Sequence, residues 1–158
     1  MSIFPDPDTT DFEATALPEG ITEAIIRSAR DRVRMMFHPD IPNKEGLSRK
    51  NLAQLLPRAD SPVLKGVDEG CGPYVTVVGH EFETFAKQTE RMMGVPIPVS
   101  KYYSNPYWHK YNQALAKITD SGRSKGPLQA PGAGHFVQAD NPGFVASEVD
   151  EILTKVMP

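Results

Sequence analysis

Five residues, Tyr74-Val75-Thr76-Val77-Val78, fenced by Pro73 and Gly79, constrain this chain more than any other feature. They are β-branched and mostly apolar, with little polar alternation, which is the pattern of a strand covered on both faces. Such a strand needs helices packed on its sheet, and the flanking sequence supplies them. Ile21, Ile25, Ala29, Val33 and Phe37 recur every four residues, predicting an amphipathic helix over 20–37 that ends at His38-Pro39. Ser48 is suited to cap a short helix near 47–56. Phe82, Phe85, Ala86, Thr89 and Met93 share a face over 82–93, and Gly94 stops that helix. Asn105-Pro106 reads as a cap with proline at the first helical position, opening a helix over 106–118. Asn141-Pro142 repeats the signal for a terminal helix over 142–156. Leu128 to Ala130 is a second short strand, whereas Pro96-Ile97-Pro98-Val99 reads as an extended edge or a loop. The expected fold class is therefore α/β: a partial parallel sheet of two to four short strands flanked by helices.

The 15 prolines punctuate the chain throughout and do not gather into one linker. Residues 1–18 are polar, acidic and proline-rich, and are expected to form a flexible arm, leaving 19–158 as a single domain. Residues 57–72, with Gly66, Gly70 and Gly72, read as a connecting loop. A net charge of −3 offers no basic excess to follow a phosphate backbone, so nucleic acid is an unexpected partner. No apolar run approaches the ~20 residues that cross a bilayer. The first residues lack a charged-then-apolar leader pattern, and the single Cys71 fits a reducing compartment, so a cytoplasmic chain is expected. One cysteine rules out the common zinc patterns, and there is no glycine-rich phosphate loop, so neither metal nor cofactor is expected.

The chemistry-bearing stretch is Pro131-Gly132-Ala133-Gly134-His135-Phe136, followed by Gln138-Ala139-Asp140-Asn141-Pro142 and Phe144-Val145. Gly132 and Gly134 permit a tight turn that leaves the imidazole unshielded, and the capped helix fixes where the turn sits. This stretch resembles the C-terminal end of the α/β-hydrolase fold, most closely in its fungal members. There a Gly-Ala-Gly-His-Phe turn carries the catalytic histidine and an Asn-Pro or Asp-Pro pair opens the last helix. The strand 74–78 with Gly79-His80-Glu81-Phe82-Glu83 resembles the preceding family element, in which an acid just after the strand orients the histidine. The usual acid position holds Phe82, which leaves Glu81 or Glu83. The resemblance covers roughly 73–158. It implies an α/β-hydrolase-like sheet, lid-derived helices within 20–72, and His135 as general base with Glu81 or Glu83 as its acid. It also implies a small ester or lactone as substrate and a setting such as secondary metabolism.

The family's N-terminal half, with its nucleophile elbow, has no counterpart here, so the chain is expected to be the C-terminal portion. Gly122-Arg123-Ser124-Lys125-Gly126 matches the elbow literally. It follows a helix and precedes a strand, the reverse of the required context, and reads as a solvated turn. Cys71 could act with Glu81 and His135 in the family's chain order, but a free thiol in a glycine loop is the simpler reading. His80 reads as a strand-end residue, and His38 and His109 as surface residues. Tyr102, Tyr103, Tyr107, Trp108 and Tyr111 either wall an apolar pocket or pack a helix. Three functional classes remain: a shortened hydrolase acting on a small-molecule substrate, completed by a second chain that carries the elbow; a non-catalytic remnant or accessory protein; and a truncation with no independent function. A homo-oligomer or a complementing chain is the expected protein partner.

Overall fold

In the computed structural model of the protein, residues 3–13, 16–41, 46, 48, 50–51, 54, 64–68 and 70–157 are described. The elements are helix α1 (Glu23–Phe37), strand β1 (Val75–Gly79), helix α2 (Phe82–Met93), a one-turn helix α3 (Ile97–Val99), a π-helical turn (Ser100–Ser104), helix α4 (Asn105–Leu115), strand β2 (Ser124–Gln129), a short helix α5 (Val137–Asp140) and the terminal helix α6 (Pro142–Val156). The short helix expected near 47–56 lies largely outside the described residues.

Strands β1 and β2 pair in parallel and form a two-stranded sheet among the described residues. A parallel pair needs a long crossover, which α2, α3 and α4 provide. The fold is thus mixed helix with a small parallel sheet, and the number of strands is the lower bound of the expectation. Strand β2 is longer than the sequence suggests. It begins at Ser124, and the stretch read as a solvated turn pairs Ser124 with Val75 and Lys125 with Thr76. The turn reading holds for Gly122 and Arg123, in a 3-10 turn over Ser121–Arg123, and fails from Ser124 because Val75–Gly79 offers a pairing edge that supplies the backbone partners a glycine-rich segment lacks on its own. The register then slips by one residue between Thr76 and Val78, where Gly126 and a cis Gly126-Pro127 bond lie opposite Val77.

Local chemistry explains most boundaries. The Thr22 hydroxyl accepts from the Ile25 N–H to cap α1, with Glu23 in its first turn and Arg34 in its last. Ile21 and Ala29 of the four-residue repeat are buried and Ile25 and Val33 pack against the core; Ile26 widens that buried face, and Phe37 at the end of the repeat is exposed. Gly94, in the left-handed region at φ 67°, ends α2. The segment expected to be extended at Pro96–Val99 is helical instead: Pro98 falls in the first turn, where no N–H is required. Helix then runs through the Asn105-Pro106 pair by a wider turn, in which the Asn105 N–H reaches Ser100 C=O. That widening accommodates a proline inside a continuing helix, and it relieves Asn105 of the capping role read from the sequence.

One core cluster joins Phe4, Ile21, Ile26, Ala29, Val95 and Val99. The acidic start of the chain has a docked position in it. Phe4 is buried, Arg30 donates to the carbonyls of Phe4 and Pro5, and Arg30 and Arg27 pair with Asp6 and Asp8. Val77, Phe85, Ala86, Ala130 and Ala133 are buried around the sheet and its first crossover helix. On the other side of β2, Lys125 bridges to Glu148 at 2.6 Å and Glu151 at 2.5 Å, fastening α6 to the strand. Among the described residues, no helix is long and apolar enough to cross a membrane.

Candidate functional site

The carboxyl ends of β1 and β2 are stitched into one platform. The Ala130 N–H donates to Gly79 C=O at 2.9 Å, and the Glu81 N–H donates to Ala133 C=O at 2.8 Å. Between them runs the tight turn after β2, with Gly132 at φ 70°. Asn141 Nδ2 donates to Pro131 C=O at 2.9 Å while Asn141 Oδ1 accepts from the Phe144 N–H at 3.0 Å, so one side chain caps α6 and holds the turn. Asp140 Oδ2 accepts from the Gly134 N–H at 2.8 Å. Gln88 of α2 accepts from the His135 N–H through Oε1 at 2.6 Å.

His135 therefore sits on a backbone anchored from three directions, with its own side chain exposed. Its ring meets the edge of Phe136 at 4.9 Å and lies 6.3 Å from Phe85. Among the described residues its imidazole makes no hydrogen bond. The two candidate acids are engaged elsewhere. Glu83 pairs with Lys101 at 2.5 Å and Lys87 at 3.4 Å, and these two lysines hold its carboxyl below the ordinary value. The Glu81 carboxylate accepts from the Thr84 hydroxyl at the start of α2. The structure brings the Glu81 backbone and the His135 turn together and does not bring either carboxylate to the imidazole.

The nucleophile candidates lie at the opposite end. Ser124 opens β2 and His135 follows its end; six strand residues cover roughly 17–20 Å at ~3.3 Å each. The Ser124 hydroxyl donates to Ala116 C=O at 2.5 Å. Cys71 precedes β1, is exposed, and neighbours Gly72, whose N–H is tied to Asp120 at 2.8 Å. Parallel pairing thus puts Cys71 and Ser124 at the amino edge of the sheet, and Glu81 and His135 at the carboxyl edge.

A second histidine belongs to the carboxyl edge. His80 stacks on Phe85 with ring centroids 3.8 Å apart and planes 15° apart. Its Nε2 meets Asn105 Oδ1 at 3.1 Å, while Asn105 Nδ2 donates to Phe82 C=O at 3.1 Å. That second bond fixes the amide orientation, so the Asn105 oxygen accepts and His80 donates from Nε2, leaving the lone pair on Nδ1. Burial pushes the His80 pKa below its ordinary value; the bond to Asn105 opposes that shift, and the nearby His135 adds to it. His80, Phe82, His109, Asn112 and Gln129 line a small cleft at this end of the strands. The sequence reading missed Asn105 and Gln88. Asn105 looked like a helix cap because the wide turn preceding Pro106 leaves no sequence mark, and Gln88 lies among exposed polar positions of an amphipathic helix. His38 lies apart, beside Asp40 at 3.5 Å. Among the described residues, no three His, Cys, Asp or Glu side chains gather as a metal site would need.

No family model, no curated protein and no solved structure matches this chain.

Proposed function

We propose that the chain is the histidine-bearing part of an α/β-hydrolase-like fold and that it hydrolyses a small, mostly apolar ester or lactone with His135 as general base. The observation that carries this reading is the shared carboxyl edge of β1 and β2. The Glu81 segment leaves one strand, the His135 turn leaves its parallel neighbour, and a main-chain hydrogen bond of 2.8 Å joins them. Ligands of parallel α/β sheets bind outside the carboxyl ends of the strands. With Ser124 and Cys71 at the other edge, water is the nucleophile. The His135 imidazole takes its proton as it attacks the acyl carbon, and the proton then passes to the departing alkoxide. Glu81 is the preferred partner acid, since Glu83 is neutralised by two lysines. The resemblance to fungal members extends the substrate class to small secondary metabolites.

The experiment combines a panel of short-chain p-nitrophenyl esters with a fluorophosphonate probe on the purified protein and its His135→Ala variant. Saturable turnover lost in the variant, without covalent labelling, supports the water mechanism. Labelling of the protein would refute it by revealing a serine nucleophile. A second reading, a non-catalytic accessory protein that binds a second copy or a complementing chain, is favoured by the lack of a carboxylate on the His135 imidazole. It predicts no saturable turnover at all.

A further inference from the structure

A cleft away from the histidines, lined by the N-terminal segment, α1 and α4, holds about 530 Å³. That is within the ~300–1,000 Å³ range of small-molecule sites. One wall is basic. Arg27, Arg30 and Arg34 follow the three-and-four spacing that places side chains on one helix face. The other wall is aromatic: Tyr107 and Trp108 of α4, with the Trp108 ring edge-on to both Tyr107 and Tyr111 at 5.7 Å. Three guanidiniums and the Trp108 indole in one cleft match a carboxylate on a planar apolar body, since arginine recognises carboxylates with directed, charge-assisted bonds.

The chain already fills part of this role. Asp8 lies 2.7 Å from Arg27, which Glu23 also meets at 2.8 Å, and Asp6 lies 2.5 Å from Arg30; both aspartates come from the N-terminal segment that lines the cleft. Arg34 has no ion pair among the described residues, although Asp31 shares the lining. We infer that this cleft is a binding site for a small aromatic carboxylate, seated with its carboxylate on Arg34 and its ring against Trp108, and that Asp6 and Asp8 are internal carboxylates competing for the same arginine row. A tethered competitor acts at high effective concentration, so it weakens a free ligand substantially without any conformational change elsewhere. This site is independent of the proposed hydrolysis at His135. Helix α4 gives Tyr107 and Trp108 to this cleft, and His109 and Asn112 to the smaller one beside His80.

Trp108 is the chain's single tryptophan, so its indole N–H gives one unambiguous nuclear magnetic resonance signal on the cleft wall. Full-length protein is titrated with 2-naphthoate, with neutral 2-naphthalenemethanol and with acetate. The expected result is a saturable shift of the Trp108 indole signal with 2-naphthoate alone. Arg34→Ala weakens it about tenfold, the loss of one charge-assisted carboxylate contact. Asp6→Asn with Asp8→Asn tightens it several-fold. Should the double variant lose its folded spectrum, Asp8→Asn alone carries the competition test. No saturable shift, an equal response to the neutral alcohol, or an unchanged affinity in Arg34→Ala would overturn the site. Unchanged or weaker binding in folded Asp8→Asn would overturn the competition.

Discussion

Replacing Asn105 by alanine tests how the carboxyl edge of the sheet is built. Asn105 is 2% exposed and spans two elements, accepting from His80 Nε2 and donating to Phe82 C=O, both at 3.1 Å. Alanine leaves a half-buried imidazole N–H without its partner and removes the Asn105 bond to the carbonyl that opens α2. Leaving such groups unsatisfied costs roughly 1–3 kcal/mol. For a chain of this size, ~2 kcal/mol lowers the melting temperature by about 4–8 °C. The variant also moves His80. The Asn105 bond raises the His80 pKa against the effect of burial, so its removal lowers that pKa further. The consequence for stability has a definite sign. A histidine whose folded pKa lies below its unfolded value binds fewer protons when folded, so its contribution is fully present above about pH 6.5 and is lost as pH falls through the folded pKa. Asn105→Ala should therefore lose stability more steeply on acidification below that value than the parent. Calorimetry across pH gives the stability, and a carbon-detected or nitrogen-detected histidine titration gives the pKa and the tautomer. An unchanged melting temperature, a His80 pKa that rises in the variant, or a parent ring protonated at Nδ1 would refute the reasoning.

Further outcomes follow from the same geometry. Gly134→Ala would place a Cβ 2.3 Å from Gln88 Oε1, displacing the side chain that accepts the His135 N–H; the fold should survive, while amide exchange at His135 accelerates. Glu83→Gln should leave any His135-dependent turnover nearly unchanged, because its carboxylate serves Lys101 and Lys87, whereas Glu81→Gln should reduce it. Lys125 and Lys155 hold the Glu151 carboxyl down at about 2. A depressed carboxyl contributes above its unfolded pKa, so the grip of α6 on β2 should weaken as pH falls from about 4.5 towards 2, and proton exchange at α6 amides over that range checks it.

Much of the architecture was legible in sequence where a local signal had no competitor. Helix α6 starts at Pro142 because Asn141 caps it, and α2 ends at Gly94 because a left-handed residue is needed there. Strand β1 was visible because five consecutive residues disfavour exposure. The failures have more than one cause, and two of them depended on a partner distant in sequence. The Ser124–Gly126 stretch is strand only because β1 offers it an edge, and a glycine-rich segment has no strand preference of its own. Pro96–Val99 became helical because the following turn continued into α4. Phe4 looked like part of a flexible arm, yet Arg30 binds its carbonyl across 26 positions of sequence. The site divides the same way. The His135 turn was readable from its glycines and capped helix, all local. The bonding of Glu83 to Lys101 and the pairing of His80 with Asn105 arise from how α2 and the π-helical turn pack, and sequence spacing carried no trace of it; the bond from Thr84 to Glu81, three residues apart, is local.

The most direct test of the central claim is the kcat/KM of the purified chain for a short-chain p-nitrophenyl ester, compared with that of His135→Ala at matched folded fraction. General-base catalysis by a positioned side chain contributes ~10²–10⁴-fold, so the account predicts saturable turnover that falls by at least about 100-fold in the variant. Turnover equal in the two proteins, or no saturable turnover in either, would contradict it.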